Sequence, residues 1–170
     1  MKKGTIISVL AVLVAVATTA VTASASGAGA RVSLRSTSLG KVLVNAHGQT
    51  LYLFAPDKSG KSSCYGSCAT YWPPLLSAGK PAAGTGVKAA LLGVTTRKDG
   101  KHQVTYNGHP LYTYVGDKAA GKTSGEGLNL SGGLWWVVSS AGKAVKNTSS
   151  SGGGGGSYGG GGGGGGGNGY

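Results

Sequence analysis

Two stretches decide the fold: "TLYLFAPDKSGKS" at 50–62 and "PLYTYVGDKAAGKTS" at 110–124. Leu51-Tyr52 stands against Leu111-Tyr112, Phe54 against Tyr114, and Asp57-Lys58 against Asp117-Lys118, each pair sixty residues apart. The same offset runs backward through Gly48 and Gly108, Val44 and Val104, and Gly40 and Gly100. Forward, "WPPLLSAGK" (72–80) answers "WWVVSSAGK" (135–143), Trp72 against Trp135, at an offset of sixty-three. The folded region therefore reads as a tandem duplication, repeat 1 over 31–80 and repeat 2 over 91–143, with a loop three residues longer in the second copy.

Each copy reads as strands. In repeat 2, "LLGVTTR" (91–97) runs into the turn Asp99-Gly100, then "KHQVTY" (101–106), the turn Asn107-Gly108, and "HPLYTYV" (109–115). Aspartate–glycine and asparagine–glycine pairs between apolar runs are hairpin signals, so this is a three-stranded meander. "RVSLRSTS", "KVLVN" and "QTLYLF" take the corresponding places in repeat 1, and "LWWVVSS" (134–140) supplies a further strand. No long segment carries helical periodicity; "CATYWPP" predicts one short helical turn, stopped by Pro73. The expected fold class is all-β: two β-meander repeats packed as one small sandwich or barrel-like domain.

The ends read differently. Lys2 and Lys3 precede an apolar run from Ile6 to Val21, and Ala23–Ala25 forms A-x-A. This is the layout of a secretory signal peptide, with cleavage expected after Ala25 or, as an alternative, Ala30. From 147 to 170 the chain is Gly, Ser and Tyr-rich, with little to bury, and is expected to be a disordered tail.

Gly116 to Thr123 spells G-x-x-x-x-G-K-T, the text of a phosphate-binding loop. Such a loop works between a buried strand and a helix, with a carboxylate elsewhere to hold magnesium. Here "SGEGLNLSGG" follows in place of a helix, and the acids are Asp57, Asp99, Asp117 and Glu126, none ending a second parallel strand. The match is read as a lysine- and glycine-rich loop after a strand, not as a nucleotide site.

The net charge is +12, from sixteen basic and four acidic residues; without Lys2 and Lys3 it is +10. The basic residues form no dense run, and such a surface attracts anionic polymers in a salt-dependent way. Three arginines are too few for a sequence-specific reader of nucleic acid.

Cys64 and Cys68, in "CYGSC", are the only cysteines. In an exported chain they read most simply as a disulfide; a redox pair and two metal ligands are the alternatives. His47, His102 and His109 are scattered, with no metal-ligand spacing and no acid companion, so no metal, cofactor or catalytic constellation is expected. Tyr52 and Phe54, like Tyr112 and Tyr114, stand two apart on a strand and share a face. They read first as core, with Asp57 and Asp117 accepting amides in the turns that follow. The functional alternative is a shallow aromatic face for a sugar ring or planar ligand.

"YLFAPD" and "YTYVGD" both fit Y-x-[FWY]-x-x-D. With "CYGSCATYWPPL" and "RKDGKHQVTYNGHPLY", they resemble the secreted repeat family of bacterial predicted lipoproteins, over about residues 40–143. The resemblance implies an exported bacterial protein built from this repeat in tandem, and no activity. The chain departs from the commoner form in having no lipobox cysteine, so no stable membrane anchor after cleavage is expected. The combined reading is a secreted, non-enzymatic module associated with the cell envelope or wall through anionic polymer. The alternative is an envelope redox or metal-binding protein using Cys64, Cys68 and the nearby histidines.

Overall fold

The computed structural model describes residues 29–146, together with Met1 and Gly27. The expected signal peptide (1–25) and glycine-rich tail (147–170) lie outside the described residues. The elements in chain order are β1 (Arg31–Thr37), β2 (Gly40–Asn45), β3 (Tyr52–Phe54), α1 (Ser67–Tyr71), β4 (Ala82–Ala83), a 3-10 turn (Ala89–Leu91), β5 (Leu92–Thr96), β6 (His102–Tyr106), β7 (His109–Pro110), β8 (Asn129–Leu130) and β9 (Gly133–Val137). Among the described residues the fold is all-β apart from the short helical turns at Ser67–Tyr71 and Ala89–Leu91, with three three-stranded sheets, β2-β1-β4, β3-β9-β8 and β5-β6-β7. The helical turn at "CATY" ends one residue before Trp72-Pro73, where the residue preceding a proline leaves the helical region.

Both copies are meanders. β1 pairs with β2 and β5 with β6, all antiparallel, and the next hairpin closes through Val44↔Thr50 in repeat 1 and Thr105↔Pro110 in repeat 2. These registers correct the self-alignment by one residue in the middle strand. Val44 takes the place of Thr105, not Val104, and Leu43 that of Val104. The first hairpin of repeat 2 is one residue longer, turning from Arg97 to Lys101 where repeat 1 turns from Thr37 to Gly40; its second is one residue shorter, Tyr106–His109 against Asn45–Gln49. The two changes cancel, so the sixty-residue offset holds on either side of a strand where it fails.

The last strand of each repeat is exchanged. β9, from repeat 2, pairs with β3 of repeat 1, through Tyr52↔Val137, Leu53↔Trp136 and Phe54↔Trp135. Reciprocally, the segment after Trp72 pairs with repeat 2, through Pro74↔Tyr112 and Leu76↔Gln103. Each exchange closes a ring of three backbone hydrogen bonds. Leu51 N donates to Leu43 O, Leu43 N to Val138 O, and Val138 N to Leu51 O; Leu111 N donates to Val104 O, Val104 N to Leu75 O, and Leu75 N to Leu111 O. The copies meet where Tyr52 N donates to Tyr112 O (2.8 Å) and Tyr112 N to Tyr52 O (3.0 Å), on a local pseudo-twofold axis.

β3 is covered on both faces, which explains why "LYLF" is apolar without interruption. Tyr52 and Phe54 enter a core with Val42, Val44, Cys64, Trp72, Tyr112, Trp135 and Val137, while Leu51 and Leu53 enter another with Val32, Leu43, Val104, Tyr106, Leu111 and Val138.

Candidate functional site

The motif residues assemble at the pseudo-twofold axis, and they cross it. The Tyr52 hydroxyl donates to Asp117 Oδ2 at 2.7 Å, and the Tyr112 hydroxyl to Asp57 Oδ2 at 2.7 Å. Each tyrosine is therefore partnered by the aspartate of the other copy. The second oxygen of each carboxylate closes its own loop: Asp117 Oδ1 accepts Ser124 N and Asp57 Oδ1 accepts Ser63 N, both at 2.8 Å. Burial first, then the Asp117 carboxylate, pushes the Tyr52 phenol far above the usual tyrosine range. Burial first, then the Asp57 carboxylate, does the same to Tyr112.

The third motif position also crosses. Phe54 stacks on Trp135 (4.1 Å between centroids), Trp135 on Trp72 (3.9 Å), and Trp72 on Tyr114 (4.2 Å), a column in which each copy's ring lies on the other's tryptophan. Tyr52 and Tyr112 meet Trp72 and Trp135 edge-on, at 5.3 and 5.1 Å. Tyr52, Phe54 and Tyr112 are buried, and Tyr114 is half-buried with one side against Trp72. The exchange of strands thus covers Tyr52, Phe54 and Tyr112 with the other copy and lays Tyr114 on Trp72, so the four rings form no single open face among the described residues.

The stretch 116–123 is the loop closed by Asp117. Gly121 N donates to Gly48 O, Lys122 N to Ala119 O and Ser124 N to Asp117 Oδ1, so these amides are spent on protein acceptors. The carbonyl of Lys122 accepts the Thr50 hydroxyl at 2.6 Å. Repeat 1 has the same design one residue shorter, Asp57 to Ser63, which accounts for the repeated lysine and glycine without any phosphate.

Cys64 and Cys68 form the disulfide, with Cys64 buried in the aromatic core. Sequence reasoning missed its anchor, Arg97. This side chain is 5% exposed; Nη1 donates to Ser62 Oγ (2.8 Å) and Gln103 Oε1 (2.6 Å), and Nη2 to Cys64 O (2.8 Å). The guanidinium lies 4.4 Å from the Tyr65 ring centroid, and Asp99 Oδ1 stands 3.7 Å from Nε. An arginine at the end of a hairpin strand looks like a solvated charge, and no local signal announces that the partner copy's loop folds over it.

Among the described residues no group of three His, Cys, Asp or Glu side chains is placed to hold a metal ion, and no helix is long and apolar enough to cross a membrane.

A cleft of about 380 Å³ lies beside β1 and is lined by Arg31, Ser33, Arg35, Asn45 and His47, among others. A smaller one of about 190 Å³ adjoins it, sharing Leu34 and Arg35 and adding Lys41.

Over residues 33–76 and 93–139, more than half of the chain, the sequence matches a family described as a secreted repeat of unknown function. The chain belongs to that family, in two tandem copies, and with it to the exported proteins. No curated protein and no solved structure gives a significant match.

Proposed function

We propose that this protein is a non-enzymatic binding module of the cell envelope, holding anionic wall or envelope polymer through its charged surface. One observation carries the reading: the four acids of the chain are all engaged within the fold. Asp57 and Asp117 serve the crossed tyrosines, Glu126 Oε2 accepts Val137 N at 2.8 Å, and Asp99 holds both Arg97 and Lys101. Lys41, Lys58, Lys61, Lys80, Lys88, Lys98, Lys118, Lys122 and Lys143 are exposed, with no ion pair among the described residues. A positive surface whose few acids are already engaged attracts a polyanion.

Retention on purified cell wall tests this at two salt levels. The screening length falls from about 10 Å at 0.1 M to about 3 Å at 1 M. Binding at the lower salt and release at the higher are expected. Retention at 1 M salt would overturn the electrostatic reading.

A further inference from the structure

The basic residues of the clefts beside β1 all come from repeat 1. By the register of the two hairpins, Arg31, Ser33 and Arg35 correspond to Leu91, Gly93 and Thr95, so repeat 2 places no charge there. The turn that forms the lip, Asn45–Gln49, is the one that is a residue longer in repeat 1, and it brings Ala46, His47 and Gly48 to the cleft. The duplication has thus diverged at one place in both charge and loop length.

The cations here are unspent. Among the described residues neither guanidinium of Arg31 and Arg35, nor the His47 ring, has a hydrogen-bond or ion-pair partner. Arg35 is nevertheless held in place by shape. A Cβ added at Gly48 would stand 2.9 Å from its Nη1, and one at Gly121 would stand 2.9 Å from its Nε. Both glycines have positive φ (76° and 75°), so two turns, one from each copy, present bare backbone to the guanidinium. An arginine positioned without using its donors is suited to forked contact with carboxylate or phosphate oxygens.

Arg31 and Arg35 are four residues apart on one strand face, a separation of about 13 Å along the chain. A single small anion spans no such distance. Lys41, opposite Ser36, belongs to the other face of the hairpin and borders only the smaller cleft. We propose that this groove, from Arg31 and His47 to Arg35, is the protein's anion site, and that it takes a linear polymer bearing repeated anionic oxygens in preference to a single anion. The proposal rests on the envelope-binding reading and gives it a location.

The test uses the mature protein and three probes: linear polyphosphate, polygalacturonate and inorganic phosphate. It compares the wild type with Arg31→Gln/Arg35→Gln and with the charge-matched control Lys58→Gln/Lys61→Gln, whose lysines are exposed in the Asp57–Ser63 loop of the same copy, away from the cleft. Exposed substitutions of this kind leave stability nearly unchanged, which melting temperatures verify. The expected result is polymer binding weakened at least about tenfold in the arginine variant. The slope of log affinity against log salt should fall by about two, one for each lost contact. The lysine control should bind nearly as the wild type does, and inorganic phosphate should bind far more weakly than polymer. Tighter binding of either polymer supports the groove and names its anion, phosphate or carboxylate. Equal weakening in the two variants would overturn the groove and leave the dispersed-charge reading standing. Inorganic phosphate bound as tightly as polymer would overturn the polymer preference. No binding of either polymer by the wild type would remove both readings.

Discussion

A single hydroxyl on Tyr52 joins the two copies, because its acceptor, Asp117, is buried and belongs to the other repeat. Removing the hydroxyl strands a buried carboxylate oxygen, which costs about 1–3 kcal/mol. Tyr52→Phe should therefore destabilise by about that amount in urea denaturation. Tyr112→Phe should cost less, since Asp57 is half-buried and keeps both Ser63 N and Ser63 Oγ on Oδ1. The pH dependence follows from the same pair. Both phenols hold their protons above the usual tyrosine value in the fold. Below about pH 10 the folded and unfolded chains are both protonated, and the stabilisation is fully present. Above it the unfolded chain releases these protons while the fold retains them, so stability falls, by up to about 1.4 kcal/mol per pH unit for each phenol. Melting curves from pH 9 to 11 should show a flatter decline in Tyr52→Phe/Tyr112→Phe than in the wild type.

Among the elements, the disulfide loop and the loop 116–123 are both tied down by residues distant in sequence. Arg97 reaches Ser62, Gln103 and Cys64 with one planar fork, a geometry that a lysine ammonium does not reproduce. Arg97→Lys should destabilise by about 2–3 kcal/mol, as a buried charge left without several of its hydrogen bonds. Loss of the disulfide in Cys64→Ser/Cys68→Ser should cost about 2 kcal/mol, the low end of the usual range, because the loop it closes is short. Non-reducing mass spectrometry should show the bond within one chain. For 116–123, the amides of Gly121, Lys122 and Ser124 already have protein acceptors. Titration with ATP and magnesium should give no micromolar binding, and Lys122→Ala should behave as the wild type does.

For the whole molecule, the exchange of final strands makes the repeats interdependent. Each hydrogen-bonded ring contains a strand from both copies, and the aromatic column alternates between them. One cooperative unfolding transition is expected, coincident by tryptophan fluorescence and far-UV circular dichroism. Trp135→Ala should abolish both halves together, since its ring contacts Phe54, Trp72 and Tyr112. Two separable transitions would contradict the interleaved architecture. A chain divided between Gly84 and Val87 should yield fragments that co-purify, each lacking its closing strand without the other.

The sequence by itself determined the duplication, the strand character, the hairpin turns and the motif residues. These are local: an Asn107-Gly108 turn, a two-residue alternation or a Y-x-[FWY]-x-x-D match needs only neighbours in the chain. The cysteine pair was legible for the same reason, four residues apart with no competing partner. Only the tertiary structure decided which copy each motif residue serves. Tyr52 with Asp57 and Tyr52 with Asp117 are equally compatible with the text, since the two copies carry the same letters. The crossed choice arises because β9 docks on β3, bringing Asp117 and Trp135 across the axis. The structure likewise decided that Arg97 is buried while Arg35 stays available, although both sit on hairpin strands. A loop from the other copy covers the first, and two glycine turns seat the second without taking its donors.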